Sequence, residues 1–204
     1  MLLLGRNRAA LARAARSLPG EARAIAGDVT AARDVERIFA TMCRGVKRLD
    51  VLVNNAGVFT YKPFSRTTLK DWRANLETNL TSIFLVTRAA LPLLQRSRSA
   101  HLINILSVAG RVAFANCSAY CASKFGALGL TGVLREEFRP HGIRVTAILP
   151  GTTDTRQAGE FDFPVDRKKL IQPDDVAAAV LAALLQPPRT TTEEILLMPS
   201  SGKL

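Results

Sequence analysis

The sequence predicts an α/β protein with a doubly wound parallel sheet, and two observations support this fold class. Short apolar segments, mostly bounded by Gly, Pro, Asn or Asp, alternate along the chain with longer segments of helical periodicity. This alternation implies right-handed β-α-β units and a parallel sheet that is covered by helices on both faces. The chain has 204 residues with no internal repeat or low-complexity linker, so we expect one domain over residues 1–204.

The elements follow from this pattern in chain order. Strands are predicted at Leu2–Leu4, Ala22–Asp28, Leu49–Asn54, His101–Leu106, Ile143–Leu149 and Glu194–Met198. Helices are predicted at Arg8–Ser17, Ala31–Arg44, Thr68–Gln95, Ala119–Arg139 and Pro173–Leu185. Pro92 predicts a kink or an early end in the third helix. The polar, irregular segment Thr152–Gln172 follows a strand end, where ligands bind in such folds, and is a candidate lid.

The N-terminal stretch MLLLGRNRAALARAARSLPG allows two interpretations. It is rich in Arg and Ala and has no acidic residue before Glu21, which resembles an organelle transit peptide. It also fits a short strand, a turn and a helix that ends at Pro19-Gly20. We favour the structural interpretation, because the strand-like segment ARAIAGDV continues the alternation.

Composition narrows the classes of partner. The net charge of +11 suits a nucleic-acid surface, but the basic residues are dispersed and aromatic residues make up only 6%, so we expect no nucleic-acid partner. No apolar run is long enough to predict a membrane span. Cys43, Cys117 and Cys121 form no CxxC motif, a pattern that fits free thiols in a reducing cytoplasm, and no metal site is expected.

A Tyr-x-x-x-Lys pair, Tyr120 and Lys124, is a candidate for acid–base chemistry. Residues four apart on a helix share a face. The pKa of a free tyrosine is near 10, and a neighbouring ammonium group is expected to lower it towards a useful range. Because such a spacing also arises by chance, the pair alone is a weak signal.

Three strand ends strengthen the signal. The segments LDVLVNNAG, HLINILSVAG and IRVTAILPGTTDT each run from an apolar strand into small or hydroxyl-bearing residues. Carboxyl ends of parallel strands share one edge of a sheet, so we expect all three to meet near Tyr120. Small residues there let a flat ligand lie close to the backbone.

With these motifs, the chain resembles the short-chain dehydrogenases/reductases over nearly its whole length. The matching segments are NNAG (54–57), ETNLTSIF (77–84), INILSVAG (103–110), YCASK (120–124) and ILPGTTDT (148–155). The 13-residue spacing from Ser107 to Tyr120 also matches the family pattern. The resemblance implies a Rossmann-like fold and an enzyme that interconverts CH–OH and carbonyl groups with NAD(P).

The resemblance also implies roles for four catalytic residues. Tyr120 is the general acid in carbonyl reduction and the base in the reverse direction. Lys124 lowers the pKa of Tyr120 and binds the nicotinamide ribose, while Ser107 holds the substrate oxygen. Asn79 holds a water in a proton relay; the alternative is an Asn that merely faces solvent in mid-helix.

The choice between NAD and NADP depends on the residues that follow the first predicted strand, Leu2–Leu4. Related NAD-dependent enzymes place an acid there, whereas this chain has Gly5 followed by Arg6, which suits the 2′-phosphate of NADP. We therefore expect NADP rather than NAD, with Arg8 as a possible helper of Arg6. The remaining cofactor contacts implied by the resemblance are Asp28, Val29, Asn54, Tyr120, Lys124, Gly151, Thr152 and Thr155.

One part of the family pattern is absent from the sequence: the first strand and its glycine-rich turn, which bind the pyrophosphate. The usual strand order is 3-2-1-4-5-6, so a central strand is missing. Either the flanking strands close the gap, or the first two strands pack poorly. A miscalled start, a shortened form with weak or no cofactor binding, and a strand from another chain are the explanations; we prefer the first.

Two functions remain open. The first is an NADP-dependent oxidoreductase that acts on a small-molecule carbonyl or alcohol, such as a small 3-hydroxy acid or a 3-oxoacyl thioester. The second is a non-catalytic binding protein that lacks the cofactor. By resemblance, the long helices at 68–95 and 119–139 form a homodimer or homotetramer.

Overall fold

The computed structural model describes residues 1–161 and 166–202, and within them six strands form parallel sheets. The strands are β1 (Leu2–Gly5), β2 (Arg23–Ala26), β3 (Val51–Asn54), β4 (His101–Ile105), β5 (Arg144–Pro150) and β6 (Glu194–Leu197). The main helices are α1 (Arg8–Ser17), α2 (Ala32–Gly45), α3 (Leu69–Leu76), α4 (Ser82–Leu94), α5 (Ser118–Phe138) and α6 (Pro173–Leu184). The strand–helix alternation confirms the predicted α/β, Rossmann-like fold class.

The sheet is divided into two parts. One has the order β1-β2 and the other β3-β4-β5-β6, and within the described residues β1 pairs only with β2. The flanking strands therefore do not close the gap left by a central strand. Val51 and Val53, on one face of β3, are 38% and 42% exposed, which is unusual for valines in a sheet of this kind.

The largest core cluster lies between the sheet and the helices α2, α4 and α5. Leu102 and Val145 from the central strands are buried there with Ile38 of α2 and Leu93 of α4. Leu4 of β1 packs against the same cluster but is only partly buried. The first strand pair is thus attached to the core through one face.

The predicted helix Thr68–Gln95 is interrupted, and Pro92 is not the cause. Thr68 and Asp71 form a reciprocal capping box that starts α3. A π-helical segment, Glu77–Thr81, then separates α3 from α4. Pro92 lies near the C-terminal end of α4, where it leaves the helix unbroken and the helix ends two residues later. Such π segments occur frequently at functional sites.

The candidate lid contains short 3₁₀ turns at Arg156–Glu160 and Arg167–Lys169. A bridge between Thr153 and Ile171 joins the two ends of this segment. Residues 162–165 of the predicted lid lie outside the described residues.

Candidate active site

The three predicted strand ends meet at one edge of the four-stranded sheet. Asn54 at the end of β3 is in register with Asn104 of β4, and Ile105 is in register with Ile148 of β5. A cleft of about 1210 Å³ opens at this edge. Its size is sufficient for a cofactor-sized ligand, since typical small-molecule pockets occupy about 300–1,000 Å³.

Six of the eleven predicted site residues line this cleft, and five do not. The cleft is lined by Ser107, Tyr120, Lys124, Gly151, Thr152 and Thr155. The predicted residues that are not among its lining residues are Arg6, Asp28, Val29, Asn54 and Asn79. Arg6, Asp28 and Val29 follow β1 and β2, in the other part of the sheet. Asn79 lies close to the cleft, since a Cβ on the lining residue Gly57 would be 3.4 Å from its Oδ1.

Tyr120 lies in the first turn of α5, directly opposite the end of β4. Tyr120 and Ser107 line the same cleft. Lys124, one turn further along α5, is buried, and its Nζ lies 5.7 Å from the centroid of the Tyr120 ring. The same Nζ donates a hydrogen bond of 3.4 Å to the carbonyl oxygen of Ile105. Two hydroxyls and one amine therefore converge at the cleft.

The predicted lowering of the Tyr120 pKa is reversed in this structure. Burial raises the pKa of Tyr120 to about 12, although the nearby Ser107 hydroxyl acts in the opposite direction. Burial also lowers the pKa of Lys124 to about 8. The amine lies near the ring of Tyr120 and bonds to a backbone carbonyl, and for both groups burial is the largest cause of the pKa shift.

Gly110 is a site residue that motif spacing did not single out. It ends the 3₁₀ turn Val108–Gly110 that follows Ser107. A Cβ at this position would lie 2.9 Å from the backbone oxygen of Lys124. Only glycine lets the turn pack directly on α5, and this close approach brings Ser107 next to Tyr120. The dipeptide Ala-Gly after the strand was the available signal.

Asn79 is fully buried in the π-helical segment, which excludes the solvent-facing interpretation. Its Oδ1 accepts a hydrogen bond of 2.8 Å from the backbone NH of Val58, and its Nδ2 donates one of 2.9 Å to the Val58 carbonyl. Nδ2 also donates to Ser123 Oγ at 3.0 Å. Asn79 thus fixes the loop after β3 against α5, while its role in a proton relay stays a prediction.

The remaining predicted cofactor residues have structural contacts of their own. The side chain of Asn54 points inward and donates to Asn104 Oδ1 at 2.9 Å and to Thr87 Oγ1 at 3.2 Å. Asp28 accepts hydrogen bonds from Thr30, and Val29 packs against the main core. Arg6 is exposed in the turn between β1 and α1. Their contacts with a cofactor remain predictions.

No helix among the described residues is both long and apolar enough to cross a membrane. The three cysteines are free thiols; Cys117 and Cys121 are buried beside Tyr120, and Cys43 is exposed.

Comparison with known proteins identifies the family of this chain. The family model for short chain dehydrogenase matches residues 1–162. A sepiapterin reductase from Chlorobaculum tepidum is 35% identical over 180 residues, which cover 88% of this chain and 73% of that protein. A 3-oxoacyl-[acyl-carrier-protein] reductase from Synechocystis sp. is 38% identical over 132 residues, which cover 65% of this chain and 53% of that protein. The match thus spans about half the length of the latter relative.

A solved structure also matches: a metagenomic short-chain oxidoreductase in complex with NADP. The TM-score is 0.83 at 30% sequence identity, and the match covers 98% of this chain and 85% of that one. The chain belongs to the short-chain dehydrogenase family, a family of oxidoreductases that act on CH–OH and carbonyl groups.

Proposed function

We propose that this protein is an NADP-dependent oxidoreductase that interconverts a carbonyl and a secondary alcohol. The observation that carries the proposal is the convergence of Ser107, Tyr120 and the buried amine of Lys124 on one large cleft at the strand ends. A phenol and a hydroxyl that share one point of a cleft can both hydrogen-bond the same substrate oxygen. A purely structural role for these three side chains would not require them to meet at a cleft.

The protein supplies the proton and the orientation of the substrate. NADP, when bound in its reduced form, supplies the hydride. With a pKa of about 12, Tyr120 keeps its proton at neutral pH and is suited to protonate the carbonyl oxygen during reduction. Ser107 holds this oxygen through its hydroxyl. Lys124 is placed to hold the ribose and to stabilise the phenolate that remains after proton transfer.

The residues around the cleft fit a nicotinamide nucleotide at one end. Thr152 and Thr155 follow β5 and present hydroxyls to the same cleft as Tyr120 and Lys124. For the other end, Arg6 precedes the N-terminus of α1, a helix with no acidic residue in its first turn. A positive helix end and a guanidinium both favour a phosphate, which supports NADP over NAD. The similar metagenomic oxidoreductase was solved with NADP.

Two substrate classes are proposed from the family resemblance: small 3-hydroxy acids and 3-oxoacyl thioesters. The 3-oxoacyl-[acyl-carrier-protein] reductase among the relatives favours the second class. The free thiols fit a reducing compartment, and we include a cytoplasmic location in the proposal.

We further propose that the protein is a homodimer or homotetramer. Apolar side chains on α4 and α5 are exposed: Phe84 and Phe125 are each 45% exposed, and Val133 is 53% exposed. Exposed large apolar groups on neighbouring helices are typical of an interface. Size-exclusion chromatography with light scattering is expected to give a multiple of 22.1 kDa for the wild type and a smaller species for Phe125→Glu. A wild-type monomer would contradict this part of the proposal.

The proposal is tested by cofactor binding together with turnover. A thermal-shift titration with NADPH is expected to raise the melting temperature more than NADH does, because ligands stabilise the state that they bind. Oxidation of NADPH, followed by its absorbance in the presence of a panel of ketones, is expected for the same preparation. Binding without any turnover would refute the enzymatic proposal.

One observation favours the alternative of a non-catalytic binding protein. The sheet is divided between β1 and β3, so Arg6 and Asp28 do not line the cleft that contains Tyr120. With the sheet divided in this way, the two halves of a dinucleotide site are not joined. The absence of a thermal shift with either nucleotide would favour this alternative.

A further inference from the structure

The cleft has an aromatic wall next to the catalytic tyrosine. Phe59 and Tyr61, from the loop after β3, and Phe161, from the candidate lid, all line the cleft. The ring of Phe59 meets that of Tyr120 edge to face, with 4.8 Å between centroids. The ring of Phe161 lies 5.3 Å from both Phe59 and Tyr61. Three separate segments thus place four aromatic rings in one group.

Hydrogen bonds with Asn116 fix the loop that carries Phe59 and Tyr61 of this aromatic wall. Asn116 adopts a left-handed backbone conformation with φ of 63°, which is uncommon for a residue other than glycine. Its Nδ2 donates a hydrogen bond of 3.1 Å to the hydroxyl of Tyr61, and its carbonyl oxygen accepts one of 2.7 Å from the backbone NH of Lys62. Lys62 in turn pairs with Asp71 at 2.9 Å. The loop that carries Phe59 and Tyr61 is therefore held in place before a ligand binds.

Charged side chains are scarce in the same cleft. Among the described residues that line it, only Lys124 and Arg156 carry a full charge. Lys124 is buried behind Tyr120, and its amine is bonded to the Ile105 carbonyl. Arg156 is exposed. A substrate carboxylate would thus find one solvent-exposed partner, whereas an apolar ring would find a preformed surface.

We propose that the aromatic wall selects a carbonyl substrate with a planar apolar group, such as an aryl ketone, over a small anionic keto acid. This inference rests on the proposed carbonyl reduction and favours a substrate class other than the small 3-hydroxy acids named there. In the reduction, the carbonyl carbon gains a hydride, for which NADPH is the reductant, and the oxygen gains the proton of Tyr120. Edge-to-face and offset contacts with Phe59 and Phe161 orient the ring, since aromatic pairs prefer these geometries.

The test compares two ketones in matched variants. Acetophenone represents the aryl class and acetoacetate the oxidised form of a small 3-hydroxy acid. Phe161→Leu keeps an apolar side chain but removes the ring, while Arg156→Gln removes the exposed charge. We expect wild type to have the higher kcat/KM for acetophenone. Phe161→Leu should lower the acetophenone-to-acetoacetate ratio of kcat/KM about tenfold, mainly through KM, and Phe161→Tyr should restore it.

The opposite pattern would overturn the inference. Arg156→Gln is expected to hold or raise the same ratio. If Phe161→Leu leaves the ratio unchanged, the aromatic wall does not select the substrate and the inference is wrong. It is also wrong if wild type prefers acetoacetate and loses this preference in Arg156→Gln, because the cleft then selects carboxylates.

A binding measurement separates this inference from the proposed function. Saturation-transfer NMR with acetophenone is carried out on the Tyr120→Phe protein with and without Phe161→Leu, so that turnover is not required. Binding that weakens with loss of the Phe161 ring would support the aromatic wall even if the protein proved inactive. Absence of acetophenone binding would overturn the inference, whatever the activity.

Discussion

Strands β4 and β1 carry similarly apolar sequences, HLINI and LLLG, but they are packed very differently. The first four residues of β4 are buried, whereas all four residues of β1 are only partly buried. The strand β4 pairs on both sides, with β3 and β5, whereas β1 pairs only with β2. Burial therefore comes from neighbours in the sheet and not from local apolarity.

The same difference separates the two halves of the proposed site. Ser107, Tyr120 and Lys124 lie around the end of β4, where the packing is dense. Arg6 lies at the end of β1, in an exposed turn. A buried NH or carbonyl without a partner costs about 1–3 kcal/mol, so the unpaired edges of β1 and β3 persist only where water reaches them. The end of β4 is therefore firmly packed, whereas the first strand pair, β1 and β2, is loosely attached.

The largest expected effect is on kcat, at the end of β4 where Tyr120 lies. Tyr120→Phe removes the proposed proton donor and is expected to lower kcat by about 10³-fold, within the range for general acid–base catalysis. Circular dichroism and the melting temperature should stay close to wild type. The matched control is Tyr61→Phe, the other tyrosine in the chain, which should keep more than a tenth of the activity. Comparable activity in both variants would show that Tyr120 is not the proton donor.

The difference in packing between β4 and β1 is tested by replacing one leucine in each strand with alanine. Leu102 of β4 is fully buried, and Leu4 of β1 packs against the same core cluster but is partly exposed. We expect Leu102→Ala to lower the free energy of unfolding by about 3 kcal/mol and Leu4→Ala by about 1 kcal/mol. Urea denaturation monitored by circular dichroism measures both. Equal losses would mean that the first strand pair is packed as firmly as the centre.

Lowering the pH should decrease the stability of the folded protein, because His101 is buried in the closely packed strand β4. This residue is fully buried in β4 with its Nε2 2.8 Å from Thr146 Oγ1, and burial lowers its pKa to about 4. Between pH 6.5 and 4 the unfolded chain binds a proton that the folded chain does not, so stability falls as pH falls. The loss at pH 5 is about 2 kcal/mol relative to pH 7.5.

Urea denaturation at the two pH values measures this loss. In His101→Gln, which has no titratable group at this position, the same decrease in pH should have a smaller effect. A wild-type curve whose midpoint is the same at pH 7.5 and pH 5 would contradict the assignment.

The smallest expected effect is at the loosely attached end. Arg6→Glu replaces a partner of the 2′-phosphate with a charge that repels it, so the Kd for NADPH should rise about tenfold while that for NADH falls. Quenching of the intrinsic fluorescence measures both constants, with Arg13→Glu in α1 as a charge-matched control. A uniform change for the two nucleotides in both variants would indicate a general charge effect and not recognition by Arg6.

Several features were readable from local sequence, and others were not. The spacing of Tyr120 and Lys124 places them one turn apart on a helix, and the strand pattern predicts that Ser107 lies at the same edge. Motif spacing did not reveal the close approach at Gly110, because the contact is with the backbone of a different element. The π segment around Asn79 was likewise missed, since helical periodicity continues on both sides of it.

The sequence by itself determined the alternation of strands and helices, the family and the set of candidate catalytic side chains, because these depend on local propensity and on short spacings. Only the tertiary structure decided that burial raises the pKa of Tyr120, that the sheet divides between β1 and β3, and that distant aromatic residues form one wall. Desolvation, strand pairing and side-chain packing all depend on residues that are far apart in the chain, and no local pattern records which of them become neighbours.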